Sequence, residues 1–424
     1  MAASEARNET HRAIETVFRI EQARLIAGLA RQVRDVSLAE ELAQDALLAA
    51  LSEWPKTGVP KNPGAWLMAI AKRRAIDGFR HARMAERKHA EIGRDLESER
   101  DTSVEEVEAA MDDDLGDELL GLIFTACHPI LSPEARAALT LRLIGGLTTG
   151  EIARAFLSSE ATIAQRIVRA KKTLGESGLA FEVPRSPERE RRLASVLEVV
   201  YLIFNEGYAA TAGQDLTRPA LCAEAQRLGR ILAGLMPDEP EVLGLLALME
   251  IQASRLAART APDGSPILLP DQNRALWDRL LIRRGLTALD RAVSLGGADG
   301  PYALQAALAA CHARARTAAE TDWRKIAALY DRLRIALPSP VVELNRAVAH
   351  SMAFGPEAGL ALLDELQRAE SLQNYAPLPA ARGDFLFRAG RLTEARSQFE
   401  RAAELTRNEG ERTFFRKRAA ACAT

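Results

Sequence analysis

Apolar residues along this chain recur at the helical period. In "LAEELAQDALLAALSEW" (38–54), Leu38, Leu42, Ala46 and Ala49 fall on one stripe and Leu47 and Leu51 widen it, while Glu40, Glu41, Gln44 and Asp45 lie toward another face. "EWPKTGVPKNPGAW" (53–66) holds three prolines and two glycines, which predicts a loop of about ten residues, Pro55 to Ala65. The period resumes in "AWLMAIAKRRAIDGFRHARM" (65–84). Here Leu67, Ile70, Ala71 and Arg74 are in phase, and Lys72, Arg73, Asp77, Arg80 and Arg83 project elsewhere. These segments predict a small helical bundle over residues 10–90.

A second pattern occupies "LSPEARAALTLRLIGGLTTGEIARAFLSSEATIAQRIVRAKKTL" (131–174). Ser132-Pro133 signals a helix start and Gly145-Gly146 a stop. Thr148 and Glu151 have capping-box spacing, and Ser159 is placed to N-cap the last helix. Two capped helices joined by a tight turn form a helix-turn-helix, whose second helix enters the DNA major groove. In that helix Ile163, Ile167, Ala170 and Leu174 form the stripe to be buried. Thr162, Gln165, Arg166 and Arg169 share a polar face suited to base edges, while Arg169, Lys171 and Lys172 suit phosphates. A solvated basic face would look similar, but the two capped helices in register favour the DNA-binding reading.

Composition adjusts this picture modestly. The chain has 424 residues with 47% hydrophobic, 27% charged and only 5% aromatic residues. That mix fits two to four soluble domains and favours helices over strands, an all-α class. No apolar run reaches the roughly 18 residues of a membrane span, and the charged N-terminal stretch lacks a signal-peptide core, so a cytoplasmic location is expected. Cys127, Cys222, Cys311 and Cys422 are widely spaced, which favours reduced buried thiols over metal or redox pairs. No nucleophile–base constellation, phosphate loop or metal spacing supports catalysis, so neither cofactor nor metal is expected.

Charge changes the picture more. The formal net charge of −2 conceals segregation: residues 66–94 carry eight basic side chains against three acidic ones, and residues 95–118 carry twelve acids against Arg100 alone. Such an acidic block repels itself and reads as a flexible connector, here over residues 91–116. A second boundary falls in "GLAFEVPRSPERE" (178–190). The expected units are therefore 10–90, a linker at 91–116, 117–180, and 188–424.

The motifs resemble those of group-four (extracytoplasmic-function) bacterial sigma factors. "AEELAQDALLAALSEW" is similar to that family's region 2.2, "NPGAWLMAIAKRRAIDGFRHAR" to regions 2.3 and 2.4, and the helix-turn-helix segment to region 4.2. The resemblance implies that Leu42, Gln44 and Asp45 bind the β′ clamp helices of core RNA polymerase, and that the β flap is also a partner. It implies that the loop from Pro55 to Ala65 captures a flipped base of the −10 element, and that Lys72, Arg73, Asp77, Arg80 and Arg83 hold the melted strand. It implies that Thr162, Gln165, Arg166, Arg169, Lys171 and Lys172 bind the −35 element. Trp66 reads as core rather than as a stacking platform; for Phe79 and His81, DNA contact and packing both stay open. Leu157 stands where many relatives carry Gly. In a left-handed conformation it would cost about 1 kcal/mol or more, so a differently built turn is expected.

The last 240 or so residues are Ala/Leu-rich helix punctuated by Pro and Gly. "GDFLFRAGRLTEARSQFERAAEL" (383–405) resembles a tetratricopeptide repeat, with Gly383, Leu386, Gly390, Leu392, Ala395, Phe399 and Ala402 at matching positions. "WRKIAALYDRLRIALPSP" (323–340) supplies a second signature, and 343–366 a degenerate copy between them. The subgroup resembled is that with a tetratricopeptide-like extension. Asn205, Glu206 and Tyr208 are expected to interrupt a helix; a polar network fixing a helix junction is favoured there over a ligand pocket or a contact with the N-terminal domains. "APDGSPILLPDQNRALW" (261–277) reads as a loop before a helix at Asn273, one that can line a pocket.

The function these patterns support is that of a sigma factor whose C-terminal half regulates it, in contact with the sigma domains or a partner. The alternative is a stand-alone helix-turn-helix regulator with a repeat-domain sensor, which leaves residues 38–83 unexplained. A repeat scaffold or small-molecule enzyme with an incidental basic helix is the third reading.

Overall fold

The computed structural model of the chain describes residues 14, 17, 21–89, 111–156, 158–179, 181–185, 188–208, 217–261, 266–366, 372, 375–406 and 409–422; of 78–89 and 111–116 the backbone alone is described. The described residues are helical, with no strand and one isolated bridge between Thr260 and Pro266. The chain divides into two compact units, residues 1–199 and 200–424.

The first unit begins with α1 (21–33), α2 (Val36–Thr57) and α3 (Pro63–His89). Arg34, at φ 56°, turns the chain so that Asp35 N-caps α2, its carboxylate accepting from the amides of Ser37 (2.6 Å) and Leu38 (3.1 Å). The buried face of α2 is Val36, Ala39, Leu42, Ala43, Ala46, Ala50 and Trp54 together with Glu40. It is rotated from the predicted stripe: Leu38 and Ala49 are only half-buried, and Glu40, expected on the polar side, is inside. On α3 the core residues are Ala65, Leu67, Met68, Ala71 and Ala75, whereas Ile70 is half-buried and Arg74 exposed.

The loop expected from Pro55 to Ala65 is shorter. Helix α2 runs through Pro55 and closes at Gly58, whose amide donates to the Trp54 carbonyl (2.9 Å) at φ 84°. Proline so near a helix end removes few backbone bonds, and Pro63 at the start of α3 removes one that would be unmatched anyway. Asn62 caps α3 through the Ala65 amide (3.1 Å), leaving residues 58–62 as the loop. Trp66 packs edge-on against buried Trp54, with ring centroids 5.3 Å apart.

Next come α4 (Met111–Ala126), α5 (Pro133–Leu143), α6 (Thr149–Ala155) and α7 (Glu160–Glu176). Residues 90–110 lie outside the described residues; α4 takes in the last part of the acidic block. Ser132 N-caps α5, Thr148 and Glu151 form a complete capping box on α6, and Ser159 caps α7. Leu157 lies outside the described residues. Ile163, Ile167, Ala170 and Leu174 are all buried, the stripe the periodicity selects.

Helix α8 (Glu188–Tyr208) carries the division between the units at Val199/Val200, so residues 188–199, expected with the extension, lie in the first unit. There Arg192 donates to the Phe124 carbonyl (2.9 Å), Ser195 to the Cys127 carbonyl (2.6 Å), and Arg136 to Ser195 and Glu198. Glu198 is exposed, but the other groups are buried polar groups that solvent cannot reach. Burial beside them pushes the Cys127 thiol up to about 11.

The second unit continues with α9 (Pro219–Leu235), α10 (Pro240–Ala253), α11 (Arg279–Ser294), α12 (Pro301–Arg314), α13 (Trp323–Ala336), α14 (Pro340–Phe354), α15 (Pro356–Leu366), α16 (Pro377–Arg388), α17 (Leu392–Leu405) and α18 (Glu409–Ala421). Helix α10 is apolar on nearly all sides and packs against α9, α11 and α12. Its buried Glu250 is neutralised by Arg230 (2.9 Å) and Arg284 (3.4 Å). From α13 onward each helix packs on the next in sequence. In the α16–α17 pair Gly383 lets the Phe399 ring approach to where a Cβ would be 3.0 Å away.

Two expectations change here. Helix α8 is not interrupted at Asn205–Tyr208 but runs through to Tyr208, the last described residue of the segment, and Gly207 passes so close to α9 that a Cβ would lie 2.7 Å from the Cys222 amide nitrogen. Asn273 caps a single 3-10 turn, and the α-helix begins only at Arg279, capped by Asp278.

Candidate DNA and partner-binding surfaces

The polar face of α7 lies open because the opposite stripe is packed down. Thr162, Gln165, Arg166 and Arg169 come together with Ser132, Ala135 and Thr173 around a concavity of about 370 Å³. Thr162 is steadied by the cap, its hydroxyl 2.7 Å from that of Ser159. At the start of α5, hydrogen bonds from its own amide and from Ser132 hold the Glu134 carboxyl below the usual carboxylate range, with Arg166 adding to the effect. The face thus offers hydroxyl, amide and guanidinium donors in one row, the groups that read base edges.

The two lysines divide. Lys172 is exposed, 3.7 Å from Glu176. Lys171 is turned inward, its ammonium bonded to Glu40 of α2. That carboxylate, 4% exposed, also accepts from Arg142 of α5 at 2.7 Å and from Gln44 at 3.4 Å. One buried anion therefore joins α2 to α5 and α7 through two cations. Sequence reasoning missed it, since the partners lie 102 and 131 residues away and no local pattern marks Glu40 as different from Glu41.

On α2 the three residues singled out for a partner surface are placed differently from one another. Leu42 is core, Asp45 is held by Arg74 at 2.8 Å, and Gln44 is exposed. Gln44 lies in an exposed row with Glu41 and Leu48, the latter 61% exposed. On α3, Arg73 and Asp77 are exposed and Lys72 is half-buried, while the side chains of Phe79, Arg80, His81 and Arg83 lie outside the described residues.

In the second unit, Asn205 is exposed, and the Tyr201 hydroxyl near it donates to Gln305 at 3.3 Å. Glu206 pairs with Arg218. Tyr208 accepts from Arg255 at 2.7 Å and stacks on Phe204, and the Arg259 guanidinium lies 3.8 Å from its ring centre. Glu206 and Tyr208 thus belong to a polar network at the α8–α9 junction. Asn205 faces a cavity.

Compared with known families, residues 18–84 match the one described as Sigma-70 region 2, residues 122–174 match Sigma-70, region 4, and residues 192–293 match a family of unknown function, DUF6596. An uncharacterized protein of Rhizobium meliloti (strain 1021) is 42% identical over 392 residues, covering 92% of this chain and 91% of that relative. No solved structure matches.

Proposed function

The chain belongs to the sigma-70 family of RNA polymerase sigma factors, and from that premise we propose that α7 reads the −35 element while α2 and α3 engage core polymerase and the −10 element. The observation that carries this reading is the row Thr162, Gln165, Arg166 and Arg169 lining one concavity on a helix that is buried along its other side. Glu41, Gln44 and Leu48 are the row that α2 offers the β′ clamp helices, with Leu42 holding it in place from the core. Lys72, Arg73, Asp77, Arg80 and Arg83 hold the melted strand beside the 58–62 loop, and the β flap takes region 4. A factor of this kind works in the cytoplasm.

The −35 reading is tested by comparing two substitutions on a promoter panel. Arg166→Ala is expected to cost about 1–3 kcal/mol on the preferred −35 sequence and to flatten discrimination at one position. Lys172→Ala is expected to weaken all sequences alike and to reduce the salt slope by about one phosphate contact. Equal, sequence-independent losses would reduce α7 to an electrostatic anchor.

The extension, in this proposal, regulates the sigma domains in place of a separate anti-sigma protein; its successive helix pairs suit the tetratricopeptide-like reading. A deletion that tests this keeps α8, because Arg192 and Ser195 satisfy groups in the first unit. Unchanged transcription from a chain ending after Tyr208 would remove the regulatory role. The stand-alone regulator predicts tight operator binding without polymerase and leaves the Glu41–Gln44–Leu48 row without a partner.

A further inference from the structure

The second unit contains a cavity of about 520 Å³ between the end of α8 and helices α10, α12, α13 and α14. Its polar lining is one-sided. Among the described residues Arg255 is the one fully charged group and no carboxylate lines the cavity; amides from Asn205, Gln252, Gln305 and Asn345 and phenols from Tyr201 and Tyr330 accompany it. His312 also faces it, but burial, with help from Arg255 and Arg274, lowers that imidazole to about 4, so it is neutral at pH 7. The remaining wall is apolar, built from side chains such as Leu248, Leu308, Ile326 and Val342.

Arg255 is the unusual member. It is only 9% exposed, and among the described residues no carboxylate pairs with it. Its guanidinium donates to the Tyr208 hydroxyl at 2.7 Å and to Gln252, while its buried Nε has no partner among the described residues. The faces of Tyr208 and Trp277, 5.9 and 5.8 Å away, and the carboxyl end of α10 offset part of the charge. A buried cation without a counterion is costly unless an anion completes it. A cavity of this size, mostly apolar with a few converging polar groups, is what a small organic ligand needs.

We propose that this cavity binds a small organic carboxylate, its carboxyl group on Arg255 and its apolar body against Leu248, Leu308 and Ile326, with the amides of Asn205 and Gln305 orienting it. A single guanidinium among apolar walls suits a monoanion with a hydrophobic body. Inorganic phosphate, a hydrated dianion, would gain nothing from those walls. The site rests on the extension alone and does not depend on the promoter-binding reading. Where both hold, the ligand is the signal that the extension senses.

The test uses the full-length protein with 4-phenylbutyrate as probe and 4-phenylbutyramide as its uncharged match, read by isothermal titration and by thermal shift. The acid is expected to bind saturably and raise the melting temperature, with the amide at least about tenfold weaker. Arg255→Gln should erase the preference for the acid. Because that substitution removes a buried group and can unfold the chain, Asn205→Leu is the second variant: it is exposed, leaves Arg255 in place, and should weaken the acid several-fold without moving the ligand-free melting temperature. Equal binding of acid and amide, competition by inorganic phosphate at equal concentration, or binding of a free-carboxyl peptide with no binding of the small acid would each overturn the proposal.

Discussion

Glu40→Ala is expected to lower the unfolding free energy of the first unit by about 3 kcal/mol, read from urea midpoints. The carboxylate is the only anion bonded to both Arg142 and Lys171 among the described residues, and it sits almost wholly out of water. Removing one partner of a buried ion pair costs about 3–5 kcal/mol, because the charges left behind have lost their counterion. The low end applies here, since the Lys171 and Arg142 side chains keep 16% and 22% of their exposure and can turn partly to solvent. The same substitution changes DNA binding in the opposite sense. An ammonium held by Glu40 is withdrawn from phosphate, so releasing Lys171 should tighten binding and steepen the slope of log K against log salt by about 0.9. A variant with lowered stability and an unchanged salt slope would show that Lys171 has no phosphate within reach.

Trp54→Ala carries the largest expected loss of stability, about 3–5 kcal/mol, because it empties a fully buried aromatic site. Its effect should reach function as well. The Gly58 amide bonds the main-chain carbonyl of Trp54 and survives the substitution, but the Trp54 ring fixes Trp66 at the start of α3, so the two tryptophans clamp both ends of the 58–62 loop. Loosening that clamp should impair capture of a −10 base even at temperatures where the variant stays folded. Trp54→Phe is the control. The indole Nε1 has no hydrogen-bond partner among the described residues, so phenylalanine loses ring area but no polar contact and should cost roughly 1 kcal/mol. Open-complex formation probed with permanganate separates the effects: Phe should retain melting, and Ala should lose it.

Local chemistry was legible in the sequence wherever a single segment decides the outcome. The caps at Ser132, Thr148 and Ser159 and the buried stripe of α7 depend on residues within one or two turns, and they stand as the spacing predicts. The α2–α3 loop is shorter than the proline count predicts because position matters: Pro55 sits near a helix end and Pro63 at a helix start, where proline is tolerated. Two placements were invisible for a different reason. Glu40 is buried and Arg255 faces a cavity through contacts made by segments far apart in the chain, which periodicity does not encode, whereas Leu42 is in the core as its stripe predicts and only the family resemblance points it at a partner. The division inside α8 belongs with these, since the prolines near residue 184 mark a change of direction but not where packing changes partner.

The most direct measurement is run-off transcription with purified core RNA polymerase on templates that differ only in their −35 and −10 elements. A promoter-specific transcript that requires this protein, and that falls with Arg166→Ala, is the predicted result. Tight and specific DNA binding by the protein alone, with no transcript from the reconstituted enzyme on any template, would contradict it.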